Sequence, residues 1–223
     1  MSAANVSADH ERRILKFSAL ERLVHWGGAV SFLILFLTGL LLLKYGWFSW
    51  LAPIFGGPAV GRVVHRVAAV AFIVFLALAA IFGYRKWTSR VFALDGDDRR
   101  FLGRLPVYFL GLERGEGMPP AGMYNGGQKF WSISLVVGGV LIILNGLVMW
   151  FADAFPRGFV QWMYPLHDLL SLYLGALALG HIYQATMHVE TGASLSAMLD
   201  GTLSEEYVRS HHPKWYEELR GSA

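Results

Sequence analysis

Four of the eight histidines sit in or at the edge of long apolar runs, where an ionisable side chain is costly and tends to be functional. His25 opens the first run, His65 opens the second, and His167 and His181 share the last. The last two are 14 residues apart. On an α-helix that is almost four turns, about 21 Å, and it returns to nearly the same face. Imidazoles at membrane depth can ligate a metal centre, form a proton relay or transport path, or act only as hydrogen-bonded packing residues. Cysteine chemistry is excluded, because the chain has no cysteine. It can form no disulfide, Cys-ligated zinc site or iron–sulfur cluster of its own, and no thioether-linked haem.

The elements that must position these rings are membrane helices. The chain has 223 residues, 55% hydrophobic and only 16% charged, against about a quarter charged in a soluble domain. The apolar residues fall in blocks, which excludes a soluble enzyme and a disordered chain. Uncharged or nearly uncharged stretches at 24–43, 67–84, 130–152 and 160–189 are each long enough to cross roughly 30 Å of hydrocarbon. A spanning segment must satisfy its own backbone polar groups, so these are helices. The expected fold is all-α, a four-transmembrane-helix bundle in one domain over 1–223. Its parts are an arm 1–22, spans at about 23–45, 62–85, 128–152 and 160–189, a loop 86–127 and a tail 190–223. The first run follows a polar segment without a small-residue cleavage site and is expected to be retained.

Charge placement sets the orientation. Fifteen of the 19 Lys and Arg fall on the arm, the long loop with the next helix start, and the tail, leaving Lys44, Arg62, Arg66 and Arg157 for the opposite side. Both termini and the long loop are therefore expected in the cytoplasm. The net charge of +3 is read as membrane-surface attraction, because the basic residues flank apolar segments; no nucleic-acid role is expected.

Depth then pairs the histidines. The second span starts outside, so His65 lies level with His167. The first starts inside, so His25 lies level with His181. Two facing pairs, one near each membrane face, match the need of two haems stacked across a bilayer, each iron held from both sides. An iron filled at both axial positions has no open site for oxygen chemistry and serves electron transfer. A relay or transport site and purely structural polar residues remain alternatives on spacing alone. His188 is a competing inner ligand, set aside because it falls at headgroup depth. His10, His211 and His212 lie outside the spans and are expected to be solvated.

Five segments carry a family resemblance. They are Lys16-Phe17-Ser18-Ala19-Leu20-Glu21-Arg22-Leu23-Val24-His25-Trp26, Gly61-Arg62-Val63-Val64-His65, Tyr124-Asn125-Gly126-Gly127-Gln128-Lys129, the His167/His181 spacing, and His211-His212-Pro213-Lys214-Trp215-Tyr216-Glu217-Glu218. Together they resemble the gamma subunit of respiratory formate dehydrogenase, a membrane cytochrome b whose superfamily includes the cytochrome b of nickel–iron hydrogenases. The resemblance covers nearly the whole chain, and the third and fifth segments point to the formate dehydrogenase branch.

The resemblance implies two non-covalent haem b groups on the pairs His65/His167 and His25/His181. It also implies a quinone pocket beside the inner haem, with Asn125 and Gly127 contacting the quinone and His181 close by; menaquinone and ubiquinone both fit. Asn125-Gly126-Gly127 also reads as a turn and helix N-cap. Gln128 and Lys129 are candidates to line that pocket or meet a haem propionate, and Arg62 and Arg66 to pair a propionate at the outer level. The implied partners are an iron–sulfur beta subunit and a molybdopterin-type catalytic alpha subunit, in a higher oligomer of the complex. The implied location is the bacterial cytoplasmic (inner) membrane, multi-pass. The implied role is electron transfer to quinone, with formate oxidation on another subunit. The alternatives are a hydrogenase cytochrome b and a His-based membrane transporter.

Overall fold

A computed structural model describes residues 12–43, 46–110, 112, 117–189 and 191–221. His10, Lys44 and Arg114 lie outside the described residues.

Each long helix starts at a local signal. Helix α1 (Ala19–Leu42) is opened by a reciprocal cap, in which the Ser18 side chain accepts from Glu21 N–H and the Glu21 side chain accepts from Ser18 N–H. A short helix α2 (Ala52–Phe55) ends at Gly56, whose φ of 70° lies in the left-handed region. Glycine takes that conformation without steric cost, and here it turns the chain into α3 (Gly57–Lys86). Helix α3 therefore begins ten residues before the expected apolar span at 67–84, and it continues through a π-helical turn at Trp87–Val91. Asp95 and Asp98 cap α4 (Gly96–Phe109) reciprocally, and Asn125 and Gln128 do the same for α5 (Gly126–Trp150). Helix α6 (Arg157–Thr186) follows Pro156.

Helices α1, α3 with its π-turn, and α5 are long and apolar enough to cross a membrane. Helix α6 is a 30-residue helix and matches α3 in length. Gln161, His167, Asp168, His181 and Gln184 dilute its apolar character, so by composition three spans stand where four were expected. Only 11–17% of the most apolar windows of α1, α3 and α5 is buried inside the chain, which leaves the rest for lipid and for whatever lies between the helices.

Two antiparallel hairpins form the helical body. Helix α1 packs along α3, and α5 along α6, while the hairpins touch each other more sparsely, through α1 with α6 and through α5 with the π-turn that ends α3. Glycines allow the close approaches. A Cβ on Gly27 would overlap the ring of Phe75, one on Gly175 would overlap Phe36, and one on Gly61 or Gly138 would press on Leu41 or Leu174.

The arm and tail fold together at one end. Strand β1 (Arg13–Leu15) pairs antiparallel with β2 (Thr202–Ser204), Ile14 opposite Leu203. This sheet was not expected from the sequence. Helices α7 (Ser196–Leu199), α8 (Glu205–His211) and α9 (Pro213–Gly221) surround a small core of Ala197, Leu203, Tyr207, Val208 and Trp215, with Ile14, Phe17 and Met123 against it. Lys214 joins this cap to the α4 start through Asp95 and Asp97, each at 2.7 Å.

The cap corrects the solvated reading of His212. That residue is 1% exposed, and its Nδ1–H donates to Gly122 O at 2.8 Å while Nε2 faces Lys16 Nζ at 3.4 Å. Lys16 is buried as well, with its ammonium 5.4–5.9 Å from the ring centres of Phe17, Tyr124 and Trp215. Burial, aided by the Lys86 ammonium, pulls Lys16 down to about 7. Burial and Lys16 hold the His212 imidazole well below its usual range.

Lys129 is also buried. Its ammonium donates to Asp98 at 2.6 Å and to Ala93 O at 2.8 Å, pinning α4 to the first turn of α5.

Two stability predictions follow from these buried charges. The unfolded chain binds the Lys16 proton up to a pKa near 10.4, and the folded chain releases it near 7. The unfolded state then carries more protons between those values, so stability rises with pH across that window. The detergent-solubilised protein is expected to melt at higher temperature at pH 9 than at pH 7, by up to about 1.4 kcal/mol per pH unit. Lys16→Met should flatten this slope, and an unchanged slope contradicts the assignment. Separately, Lys129→Met strands the Asp98 carboxylate and should cost about 3 kcal/mol in denaturant unfolding; a loss under about 1 kcal/mol would mean that the pair does not hold α4.

Candidate functional site

The structure brings His25, His65, His167 and His181 together as two facing pairs. The His25 and His181 ring centres are 6.1 Å apart, with planes at 63°. Those of His65 and His167 are 6.3 Å apart, with planes at 61°. An imidazole nitrogen sits about 2 Å from a first-row metal and its ring centre about 1 Å further back, so two ligands on opposite faces of one iron put their ring centres about 6 Å apart. Both pairs have that spacing. Along α6 they are 14 residues, or about 21 Å, apart.

The donor set favours a macrocycle-bound metal over a bare ion. Among the described residues no three His, Asp or Glu side chains converge. Two neutral imidazoles facing each other leave the remaining coordination positions of a metal unfilled, and a porphyrin supplies four nitrogens in the plane between them. The sparse contact between the two hairpins agrees with a group seated between them. The spacing and donor chemistry of these rings fit a haem.

Hydrogen bonds at the far pair favour one ring tautomer. The Thr38 hydroxyl donates to Ile34 O at 2.7 Å, so its one proton is engaged. At 2.9 Å from His65 Nδ1 it accepts from Nδ1–H. Asn145 Oδ1, which can only accept, lies 3.0 Å from His167 Nδ1, while Asn145 Nδ2 reaches Met163 Sδ at 3.2 Å. Both rings thus carry the proton on Nδ1 and keep the Nε2 lone pair for a metal. Thr38 is 0% and Asn145 4% exposed, so water does not compete for these bonds.

The pair at the capped end is held differently. Trp131 stacks on His181 with ring centres 4.3 Å apart and planes at 24°, and the Trp131 indole donates to Leu177 O at 3.1 Å. Trp26 packs edge-on against His25 at 5.2 Å and ties α1 to the cap by donating to Met198 O at 3.0 Å. His25 Nδ1 is buried with no hydrogen-bond partner among the described residues.

The other candidate residues fall as follows. Asn125 Oδ1 accepts from Gln128 N–H at 2.8 Å and Gln128 Oε1 from Asn125 N–H at 3.1 Å, so both act as the cap of α5. Asn125 also lines a cleft with Phe101, Tyr108, Tyr207, His211 and His212. A Cβ on Gly127 would press on Phe101, Leu105 and Asn125 Oδ1, so this glycine permits the approach of α4. Lys129, a candidate for the quinone pocket or a propionate, has its ammonium on Asp98 and Ala93. Arg66, on the far end of α3, lies 4.9 Å from the Trp150 ring centre, and Arg62 is exposed one turn earlier. His188 is buried, and its Nε2–H donates to Tyr108 O at 2.8 Å. It anchors the α4 end.

Thr38, Asn145, Trp131 and Asp98 were missed in the sequence. Only Asn145 left a signal, as a lone amide inside an uncharged apolar run.

Comparison with known proteins places this architecture. The chain is 29% identical over 212 residues to the formate dehydrogenase cytochrome b556(fdo) subunit of Escherichia coli (strain K12), covering 93% of each chain. It is 27% identical to the nitrate-inducible cytochrome b556(Fdn) subunit of the same strain, over 93% of this chain and 92% of that one. It is 25% identical to the formate dehydrogenase cytochrome b556 subunit of Haemophilus influenzae, over 96% and 87%. The family model of prokaryotic cytochrome b561 matches residues 16–201, a range that contains all four paired histidines together with Thr38 and Asn145, and the chain belongs to that family.

Proposed function

We propose that this chain is the membrane cytochrome b subunit of a formate dehydrogenase complex, and that it passes electrons from an iron–sulfur partner to a quinone. The observation that carries the reading is the iron-compatible spacing of both histidine pairs, 6.1 and 6.3 Å. The relatives' names support the complex. In this reading α6 is the fourth span and both termini are cytoplasmic, as the Lys and Arg distribution favours. The complex sits in the cytoplasmic membrane, and a molybdopterin-type subunit oxidises formate.

Haem b bound at these rings would supply one-electron transfer. His65 and His167 would hold an outer haem, His25 and His181 an inner one. The residues do the rest by position. The apolar helices exclude water from the rings. Arg62 and Arg66, at the outer end of α3, are the candidates to balance propionate charge there.

The quinone site lies at the cytoplasmic end, near Asn125. The α5 cap engages the oxygen of the Asn125 side chain, and its amide N–H is the end that donates to a quinone carbonyl. His181, Gln128 and the Gly127 backbone border the same end of the bundle. Protons reach the quinone from the cytoplasm. Moving one charge across 100 mV stores about 2.3 kcal/mol, so sidedness makes the transfer energy-conserving.

Two measurements test this. His65→Ala or His167→Ala should remove one haem from the reduced-minus-oxidised spectrum and leave the other; equal loss of both haems from either change contradicts the pairing. Asn125→Asp keeps an oxygen to cap α5 but removes the amide donor. In the intact complex it should slow quinone reduction by roughly tenfold or more, at about 1.4 kcal/mol per tenfold for a lost hydrogen bond to substrate, while formate still reduces the haems. Unchanged quinone turnover would leave Asn125 a helix cap only.

A further inference from the structure

The two histidine pairs are alike in spacing and unlike in what stands behind them. At the outer pair, both Nδ1–H groups donate to buried neutral oxygens, Thr38 Oγ1 at 2.9 Å and Asn145 Oδ1 at 3.0 Å. Each acceptor is itself fixed. The Thr38 hydroxyl is spent on Ile34 O, with Leu35 O at 3.1 Å, and the Asn145 amide is oriented by Met163. At the inner pair, His25 Nδ1 is buried without a partner among the described residues, and His181 is held by stacking on Trp131. The acceptors come from helices other than those of the histidines they serve: Thr38 on α1 serves His65 on α3, and Asn145 on α5 serves His167 on α6. Each hairpin therefore orients its own outer ring.

We infer that Thr38 and Asn145 are positioning residues that lock the outer imidazoles in one tautomer and set the outer haem at a lower reduction potential than the inner one. The inference rests on the haem reading above. An imidazole whose N–H is donated to an acceptor is a more basic ligand at its other nitrogen. A more basic axial ligand stabilises the ferric charge over the ferrous one, and the potential falls. A ring lacking that acceptor is a weaker donor, and the potential of its iron stays higher. The asymmetry slopes the path from the partner subunit towards the quinone end. Gly39 and Gly146 fit the same design: a Cβ at either would come within 3.7 or 3.4 Å of the His65 or His167 ring, so both helices stay close enough for the bonds to form.

The test is a potentiometric titration of the membrane complex, following both haems optically, with the outer one identified by its loss in His65→Ala. Thr38→Val is nearly isosteric and removes the acceptor. It should weaken ferric relative to ferrous binding at the outer haem by roughly tenfold, a positive shift of about 59 mV for a one-electron couple. The inner haem should not move. Asn145→Leu should shift the outer haem the same way, and Thr38→Ser, which restores the hydroxyl, should return it. Loss of the outer haem alone in Asn145→Leu also supports positioning, because the inner haem reports an intact fold. An outer potential unchanged in Thr38→Val, or an outer haem titrating above the inner one in the unaltered protein, overturns the inference while leaving the haem pairs in place. A purified complex without haem on this chain overturns the haem reading itself.

Discussion

An imidazole placed among apolar side chains must satisfy one nitrogen and can leave the other as a lone pair. That constraint organises this protein. Buried polar groups without partners cost on the order of 1–3 kcal/mol each, a cost that His25 Nδ1 carries and the far pair avoids. At the far pair, Thr38 and Asn145 take the Nδ1 protons. The two rings then lie with their centres 6.3 Å apart, a spacing compatible with an iron between them. The two hairpins are built to keep that gap. They are tight internally, through glycines that admit Phe75, Leu41 and Leu174, and they approach each other closely where Gly175 admits Phe36, with otherwise sparse contact. A chain with a continuous apolar core between the hairpins would have no room for a flat group and no use for the paired rings.

The levels of the histidines were legible in the sequence because helix rise converts residue number into depth. Fourteen residues between His167 and His181, and one histidine at the start of each of the first two spans, sufficed to anticipate which rings meet. What orients those rings was not legible. Thr38 is a common residue in an apolar helix, and its meeting with His65 depends on how α1 packs on α3. Asn145 stood out as polar, yet nothing local names His167 as its partner. Helix α6 illustrates a different limit. The site-forming polar residues of α6 are what keep it from the apolar composition of the other three.

The cap shows how long-range contact reverses a local reading. His211-His212-Pro213-Lys214 looks like a solvated tail. Burial of His212 is created by Lys16 and Gly122, 196 and 90 residues away. The Lys129–Asp98 pair spans 31 positions and turns a residue that suited a propionate into the pin between α4 and α5. These contacts gather the arm, the long loop and the tail beside the His25/His181 level, so the end of the molecule that borders the proposed quinone site is also its most polar and most cross-linked end. The far end carries α2, short turns at Ser49–Leu51 and Ala152–Ala154, and the basic residues Arg62, Arg66 and Arg157.

The central claim is that two irons are each held between two imidazoles of this one chain. Electron paramagnetic resonance of the oxidised, purified complex, combined with haem quantified per cytochrome chain, tests it most directly. The account predicts two haem b per chain, both low-spin with imidazole on each side. A single haem, or a high-spin iron with an open axial position, would contradict it.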